Sequence, residues 1–207
     1  MDGSLSKMSE DYVRHFEEQF SEHGESFKTI GFSTQSQRKR FEILSGIGDL
    51  GGKDILDVGC GFGDFYIYLI RNFPICNYIG IDINLDMINI AKERNPNISF
   101  YHNDILDFGF ETLIDYSLAS GIFFLPNSNW EKRFIAICRK LLKLSKIGVG
   151  INLLSIFSPN CDKNKENYYV EPWKVLKLVM EILCKKAILR HDYRVNDFTI
   201  YMYKENG

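Results

Sequence analysis

The chain has 207 residues, of which 45% are hydrophobic and 25% are charged, a composition that is typical of globular proteins and excludes collagen-like or disordered chains. A chain of this length can bury roughly 70% of the surface of its unfolded form, so a single domain needs neither disulfides nor a structural metal. The 25 basic residues are dispersed and nearly balance the 27 acidic residues, giving a net charge of −2. This distribution argues against a protein that binds nucleic acid through a basic stripe.

The cysteines are odd in number, with neither a C-x-x-C pair nor a nearby histidine at metal-ligand spacing. They are Cys60, Cys76, Cys138, Cys161 and Cys184. We expect reduced thiols and no metal site, with Cys76, Cys138 and Cys184 as small core residues. The polar N-terminus lacks the apolar stretch of a signal peptide, and no run of about 18 apolar residues occurs. The sequence thus predicts a cytoplasmic protein without a membrane-spanning segment.

In chain order, the first predicted elements are two helices within residues 9–47, separated by a turn-like segment at 23–34. Short runs rich in Ile, Val, Tyr and Phe then alternate with patterns of helical periodicity. The predicted strands are 54–58, 78–83, 98–102, 116–120 and 147–154, and the predicted helices between them are 64–72, 85–94 and 129–144. A polar loop at 156–171 follows, then a helix at 172–184 that Pro172 can open. The last 187–204 segment is typical of two strands joined at 194–197, with Asn196 able to take a positive φ.

Alternation of strands and helices predicts an α/β fold, because parallel strands need crossover connections that place helices on both faces of the sheet. We therefore expect one domain with a doubly wound, mostly parallel sheet of seven strands, closed by an antiparallel C-terminal hairpin. Its parts are a helical cap at 1–47, a ligand-binding core at 48–155, a lid loop at 156–171, and the helix and hairpin at 172–207.

The segment DILDVGCGFGDF, residues 54–65, carries the strongest functional signal. An apolar strand runs into Gly59, Gly61 and Gly63, and a helix follows, so the backbone can turn sharply and expose N–H groups beside a helix N-terminus. Asp82 follows Gly63 after 19 positions, at the end of the next strand, where a carboxylate can accept hydrogen bonds from both hydroxyls of a ribose. Together these features indicate an adenosine-containing ligand.

Two details distinguish among adenosine-containing ligands. The third glycine of the dinucleotide pattern G-x-G-x-x-G is missing, because Asp64 or Tyr66 stands at that position. Asp64 places a carboxylate where a pyrophosphate would sit, which favours a ligand without phosphates. Asp57 adds a carboxylate able to face a cationic group such as an amine. A P-loop is excluded, since no Gly-Lys-Ser/Thr follows.

The motifs LDVGCGFG, YIGIDINLDMINIAKE and FYHNDILDF, in this order, resemble the class I S-adenosylmethionine-dependent methyltransferases over about residues 50–155. The two ends of the chain further resemble a bacterial subgroup that acts on small molecules. The resemblance implies a Rossmann-like fold, S-adenosylmethionine as cofactor, and a role for each matching residue. The implied cofactor contacts are Gly59, Cys60 and Gly61 with the methionine part, Asp57 with its amine, Asp82 with the ribose, Ile83 and Met87 with the faces of the adenine, Asp104 and Ile105 with its edge, and Ala119 and Ser120 at the closing side of the site. Arg40 can pair with the cofactor carboxylate, and an ordinary solvated helix arginine is the alternative.

The segment after the fourth strand narrows the range of possible methyl acceptors. Enzymes of this superfamily that methylate exocyclic amines of DNA carry Asn/Asp-Pro-Pro-Tyr there, whereas this chain has SGIFFLP, Ser120 to Pro126. We expect no appended RNA-binding domain. We expect methylation of a small, polar, sugar-like or phosphorylated metabolite, with oxygen preferred as the acceptor atom. An N-methyltransferase, a non-catalytic S-adenosylmethionine-binding module and a nicotinamide oxidoreductase are the alternatives. The oligomeric state is left open.

An oxygen acceptor benefits from a general base, and His191 and His23 are the two candidates. A structural histidine is the alternative for each. His102 and His15 are expected on solvated surfaces, Phe123 and Phe124 in the core or against the sulfonium, and Tyr168 and Tyr169 in the lid. Asp104, Asp107 and Asp115 are expected on different ends of the sheet, which argues against a metal.

Overall fold

The computed structural model describes residues 3–26, 28–29, 31, 33–75, 77–109, 113–126, 129–161 and 167–205, without the side chains of residues 3–6 and 8. The helices are α1 (Gly3–His23), α2 (Thr34–Ser45), α3 (Asp64–Asn72), α4 (Leu85–Arg94), α5 (Trp130–Leu144) and α6 (Pro172–Leu178), the last continuing into a π-helical turn at Val179–Leu183. The strands are β1 (Asp54–Val58), β2 (Asn77–Asp82), β3 (Ser99–His102), β4 (Ile114–Ala119), β5 (Ser145–Leu154), β6 (Lys186–Arg190) and β7 (Asp197–Tyr203).

The strands form one seven-stranded sheet in the order β3-β2-β1-β4-β5-β7-β6. β1 to β5 are parallel to one another, and β7 is antiparallel to both of its neighbours. This confirms the predicted mostly parallel sheet with an antiparallel C-terminal hairpin. None of the described helices combines the length and the apolar character needed to cross a bilayer.

Each face of the sheet carries its own hydrophobic core, which is the doubly wound arrangement. On one face the strands pack against α5 and α6, whose apolar side chains recur at helical spacing and include Phe134, Leu141 and Val175. On the other face Leu44, Leu69 and Ile88 from α2, α3 and α4 contact the sheet. With both faces covered, the central strands β1 and β4 are buried along almost their whole length.

The C-terminal hairpin is tied to the N-terminal half of the chain through α2. The Tyr201 hydroxyl donates a hydrogen bond to the Ile43 carbonyl, and the Tyr203 hydroxyl donates to the Ile47 carbonyl at 2.9 Å. A buried ion pair also joins α2 to the start of β7, with Arg40 Nη2 2.5 Å from Asp197 Oδ1. These contacts hold α2 beside the sheet, near the loop that follows β1.

Some boundaries differ from the sequence predictions. β4 starts at Ile114, two residues early, and an irregularity in its pairing with β5 lies between Ile114 and Tyr116. β5 follows α5 directly, because Ser145 ends the helix in an extended conformation. The positive φ expected at Asn196 is wrong. No described non-glycine residue has one, and the six residues between β6 and β7 form a longer loop that needs no left-handed turn.

The 156–171 loop is anchored at both ends. Ser155 bridges Val170, the Ile156 N–H donates to the Val170 carbonyl at 3.1 Å, and the Val170 N–H donates to the Leu154 carbonyl at 3.0 Å. The Tyr168 ring packs on Trp130 with ring centroids 5.6 Å apart. Residues 162–166 of the predicted lid lie outside the described residues, so its proposed role stays a prediction.

Candidate functional site

A deep pocket opens at the carboxyl edge of the sheet, where β1 to β4 end. This is where ligands bind in open parallel α/β sheets. Its floor is the glycine loop between β1 and α3, its sides are the segments after β2, β3 and β4, and Tyr12 and Phe16 of α1 cover it. Gln37 and Phe41 of α2 complete the wall beside the glycine loop.

Three glycines in left-handed conformations shape the floor. Gly59, Gly61 and Gly63 have φ values of 75°, 52° and 80°, which side chains rarely permit. A Cβ on Gly59 would lie 2.3 Å from Cγ2 of Ile122, so this position also excludes side chains by close approach. The sequence prediction of a sharp glycine turn is therefore confirmed.

The expectation that this turn exposes its N–H groups is wrong for four residues. The Gly59 and Cys60 N–H groups donate to the Ile81 carbonyl at 2.8 and 3.1 Å, and the Gly63 N–H donates to the Cys60 carbonyl at 3.0 Å. The Gly61 N–H donates to Asp82 Oδ2 at 2.9 Å. These N–H groups form hydrogen bonds within the protein, most of them to the end of β2. A ligand would therefore contact mainly the Cα atoms and carbonyl groups of the loop.

Asp82 connects two turns of the pocket. Asp82 Oδ2 accepts the hydrogen bond from Gly61, and Asp82 Oδ1 accepts one from the Asn84 N–H at 2.9 Å. The Asn84 side chain in turn caps α4 by accepting a hydrogen bond from the Met87 N–H at 2.9 Å. Burial raises the pKa of Asp82, and the backbone donors of Asn84, Gly61 and Ile83 oppose that rise. Each carboxylate oxygen has two lone pairs, so Asp82 can still accept hydrogen bonds from a ligand.

Asp57 lies buried at the end of β1 on the pocket wall. Its Oδ2 accepts a hydrogen bond of 2.5 Å from the Tyr78 hydroxyl. Burial raises the pKa of Asp57 to about 7, the Tyr78 hydrogen bond lowers it, and the nearby carboxylates Asp82 and Asp64 raise it further. Asp57 has no salt bridge among the described residues, so a cationic ligand group would compensate its buried charge.

The walls as a whole are acidic. Asp57, Asp64, Asp82 and Asp104 line the pocket, whereas Arg133 is its only described lining cation. Asp64 accepts from Gln37 Nε2 at 3.3 Å and pairs with Arg94 at 3.2 Å outside the pocket. Arg133 lies 3.4 Å from Asp104. This charge balance favours a ligand that carries positive charge and disfavours a pyrophosphate.

These features fit S-adenosylmethionine. Its sulfonium and ammonium groups suit an acidic pocket, its ribose hydroxyls suit Asp82, and its adenine suits the buried thioether of Met87 and the Ile83 and Ile105 side chains. A group of three or more side chains able to hold a metal ion is not found among the described residues.

Comparisons with known proteins point to the same family. Residues 55–144 match a family model described as a methyltransferase domain. A Mycobacterium tuberculosis protein named as a methyltransferase is 30% identical over 157 residues, which cover 72% of this chain and 92% of that protein. The chain belongs to the class I S-adenosylmethionine-dependent methyltransferases. The cofactor of this methyltransferase is thus S-adenosylmethionine, and the fold and enzyme class predicted from sequence are confirmed.

Other relatives have diverse acceptors in their names. A trans-aconitate 2-methyltransferase of Afipia carboxidovorans is 32% identical over 94 residues, 45% of this chain, and the match spans only 37% of that enzyme. The solved structure of the N-methyltransferase NodS from Bradyrhizobium japonicum, with bound S-adenosylhomocysteine, superposes with a TM-score of 0.68 at 14% identity, covering 94% of this chain and 98% of that one. At that identity the superposition supports the fold alone.

Most of the cofactor-binding residues proposed from sequence lie together in the methyltransferase pocket. Those that line it are Asp57, Gly59, Cys60, Gly61, Asp82, Ile83, Met87, Asp104, Ile105 and Ser120. Ala119 is fully buried in β4 just before Ser120 and does not line the pocket. Arg40 also lies outside the lining, because it is buried against Asp197 at the start of β7. Their individual roles stay predictions.

The structure does not bring the two proposed catalytic histidines to the pocket. His191 lies in the loop after β6, with Nε2 3.3 Å from the Val195 carbonyl and its ring against Phe157 and Phe198. His23 ends α1 beside Glu22, with Nε2 3.7 Å from Oε1. Their catalytic role stays a prediction.

The other two histidines also lie outside the pocket lining. His102 is exposed as expected, with Nε2 3.0 Å from the Ile83 carbonyl. The solvated surface expected for His15 is wrong, because its ring is half-buried against Phe16 and Phe124. Phe123 is confirmed as a core residue, since it packs against Trp130 and Phe134.

The aspartates considered as metal ligands and the cysteines lie in different parts of the fold. Asp104 and Asp115 lie at opposite edges of the sheet, since Asp115 is at the start of β4, where Lys146 pairs with it at 3.4 Å. The four described cysteines are free, Cys138 is fully buried, and Cys184 is half-buried. Cys76 lies outside the described residues.

Among the pocket residues that sequence reasoning missed are Tyr12, Gln37 and Arg133. Burial raises the pKa of the Tyr12 hydroxyl to about 12, and its oxygen accepts from the Leu125 N–H at 3.2 Å. Arg133 occupies the apolar face of α5, between Trp130 and Ile137. A charged residue at a helix position predicted to be buried is the signal that could have identified it.

Proposed function

We propose that this methyltransferase transfers the methyl group of S-adenosylmethionine to an oxygen of a small, polar, sugar-like metabolite. The observation that carries the proposal is the covered, acidic pocket at the carboxyl edge of the sheet. Its cover by α1 favours a small acceptor over a nucleic-acid strand, and its polar wall residues, such as Gln37, Asn103 and Ser120, can hydrogen-bond to hydroxyl groups.

The proposed cofactor contacts follow the order of the elements around the pocket. Asp57 would pair with the amine, Asp82 would hold the ribose hydroxyls, and Asp104 would accept from the adenine amine. When bound, the cofactor supplies an electrophilic methyl group on a sulfonium. The chain mainly aligns the acceptor with that methyl group, an effect that can contribute roughly 7–11 kcal/mol.

The charge of the walls bears on the two acceptor classes expected from sequence. A phosphorylated acceptor would bring two negative charges close to the four carboxyl groups of the pocket. Among the described lining residues the only cation is Arg133, and it is paired with Asp104. A neutral, hydroxyl-rich acceptor avoids this repulsion. We therefore favour the sugar-like version of the proposal over the phosphorylated one.

The experiment is an acceptor screen with the purified chain and S-adenosylmethionine, read as S-adenosylhomocysteine formed and as a product mass increased by one methyl group. The panel contains neutral sugars, their phosphates, trans-aconitate and small amines. Turnover of neutral sugars above the other classes would support the proposal. Preferred methylation of phosphates, carboxylates or amines would contradict it. An Asp82→Ala variant serves as the control for background.

His191 remains the proposed base for an oxygen acceptor, because the end of β6 lies at the same sheet edge as the pocket. We expect His191→Ala to lower kcat by about 100-fold or more and to leave S-adenosylhomocysteine affinity unchanged. His102→Ala is the matched control, since His102 is exposed, lies outside the pocket lining and has no proposed catalytic role. An unchanged kcat in His191→Ala would transfer the role to His23 or to a pocket carboxylate, and His23→Ala separates these two.

A further inference from the structure

Arg133 is a charged residue on the buried face of α5. Its neighbours on that face, Trp130, Phe134 and Ile137, all belong to the core, and the Arg133 side chain is only 6% exposed. Burying a guanidinium is costly unless other groups compensate its charge and hydrogen-bonding capacity. The partners of Arg133 therefore indicate what this residue is for.

Those partners lie on two separate parts of the pocket. Arg133 Nη1 donates to the Ser9 hydroxyl on α1 at 2.7 Å, and Nη2 lies 3.4 Å from Asp104 Oδ2 after β3. The Ser9 hydroxyl itself donates to the same Asp104 oxygen. The guanidinium also lies over the ring of Tyr12, 5.4 Å from its centroid. One buried cation thus joins α1 to the adenine side of the proposed cofactor site.

Apart from these contacts, the side chains of α1 make aromatic contacts with Phe124 and Phe62. Among its described side chains only Tyr12 is fully buried, and the rest are half-buried or exposed. A surface helix whose side chains are mostly half-buried or exposed belongs to the less stable parts of a fold and can detach without global unfolding. Yet Tyr12 and Phe16 line the pocket, so detachment of α1 would open one of its walls.

We propose that Ser9, Asp104 and Arg133 form a latch that holds α1 closed over the cofactor, and that opening of this latch limits release of S-adenosylhomocysteine. Asp104 Oδ2 belongs to the latch, while Oδ1 accepts the Leu106 N–H at 2.8 Å and keeps a lone pair for the adenine amine. The cofactor and the closed helix therefore use the same carboxylate without excluding each other. Arg133 acts through Asp104 and α1, so it is a positioning residue.

The first experiment measures release of S-adenosylhomocysteine from Ser9→Ala by stopped-flow displacement. Ser9 lies on the surface helix, so its loss leaves the sheet and its two cores intact. Loss of the hydroxyl should speed release by about 3- to 10-fold and change association little, as expected for one hydrogen bond to charged partners. Ser21→Ala, at an exposed position of α1, is the matched control.

The second experiment uses hydrogen exchange, which needs no acceptor and no turnover. S-adenosylhomocysteine should slow exchange of the α1 amides in the wild-type chain, and this protection should shrink in Ser9→Ala and in Arg133→Met. Arg133→Lys should restore part of it, since a lysine keeps the charge but not the fork of donors. Arg139→Met, at an exposed position of the same helix, should behave as wild type.

Unchanged release and unchanged α1 protection in Ser9→Ala would overturn the latch. The latch would also be overturned if Arg133→Met bound S-adenosylhomocysteine more weakly while Ser9→Ala kept the wild-type release rate. Arg133 would then act only on Asp104. Neither outcome depends on which acceptor is methylated, so the latch and the proposed acceptor can fail independently.

Discussion

Asp82 fixes two turns of the pocket through its two carboxylate oxygens. One oxygen orients the glycine loop at Gly61 and the other orients the start of α4 at Asn84. A residue predicted from sequence to hold the ribose thus also orients two segments of the pocket wall. The spacing to the glycine loop predicted the position of Asp82, but its bond to Gly61 depends on how closely β1 and β2 approach.

We expect Asp82→Ala to weaken S-adenosylhomocysteine binding by about 100-fold or more, because it would remove the proposed ribose contact together with two charge-assisted bonds to the backbone. Isothermal titration measures this change, and circular dichroism checks that the variant is folded. Asp86→Ala, an exposed carboxylate on α4, is the control and should bind normally. Normal binding by Asp82→Ala would remove Asp82 from the site.

Asp57 should make the stability of the cofactor-free chain depend on pH. Its pKa rises from 3.8 to about 7 on folding, mainly because burial penalises the charged form. The folded state therefore holds the proton more tightly than the unfolded state. The stabilisation is fully present below pH 4 and is lost as the pH rises through 7, with an upper bound of roughly 4 kcal/mol.

Urea unfolding between pH 5 and pH 8 tests this contribution. Asp57→Asn should be less sensitive to pH than the wild type over this range, whereas Asp54→Asn, half-buried at the start of β1, should keep the wild-type slope. Equal slopes in the wild type and Asp57→Asn would show that Asp57 ionises normally in the folded chain.

At the scale of elements, the glycine loop excludes a side chain at Gly59 for two separate reasons. Gly59 combines a left-handed φ of 75° with a Cβ position 2.3 Å from Ile122, whereas Gly24 has a φ of 58° and open space around its Cβ position. The pair separates backbone strain from steric exclusion. Only the backbone strain could be inferred from the glycine pattern, because Ile122 lies in the segment after β4, which is far from Gly59 in the sequence.

We expect Gly24→Ala to destabilise the chain by about 1–2 kcal/mol, the cost of a left-handed non-glycine residue. Gly59→Ala should cost more and abolish measurable S-adenosylhomocysteine binding. In the double variant Gly59→Ala, Ile122→Ala, the shorter side chain at position 122 leaves room for the new Cβ, so part of the lost stability should be recovered. Thermal unfolding and titration measure both effects, and equal losses in Gly24→Ala and Gly59→Ala would contradict the steric argument.

At the scale of the whole molecule, the pair Arg40 and Asp197 joins positions 157 residues apart. Both side chains are almost completely buried, and Arg194 approaches the second oxygen of Asp197 at 3.1 Å. The pair fastens the N-terminal helices to the C-terminal hairpin, so it contributes to the closure of the fold.

We expect Arg40→Met to lower the free energy of unfolding by about 3–5 kcal/mol, because it leaves a buried carboxylate with less compensation. Lys39→Met, at the neighbouring half-exposed residue that pairs with Glu42, should cost no more than about 1 kcal/mol. Urea unfolding compares the two variants. Titration of the folded Arg40→Met protein with S-adenosylhomocysteine tests the cofactor contact proposed for Arg40, since loss of that contact lowers affinity as well as stability.

The sequence by itself determined the alternation of elements, the mostly parallel sheet and the cofactor edge. These features rest on local information, since hydrophobic periodicity, a glycine turn after an apolar strand and a carboxylate after the next strand can be read within short windows. The bounds of β1, α3 and α4 were predicted to the residue for this reason.

Only the tertiary structure decided which distant side chains meet. Arg133 joins α1 to the pocket across 124 residues, Arg40 pairs with Asp197, and His191 and His23 lie away from the pocket lining. Helical periodicity identifies the buried face of an element but not its partners, because partners depend on how the crossovers and the antiparallel hairpin bring separate segments together. The latch and the cover of the pocket are properties of that assembly.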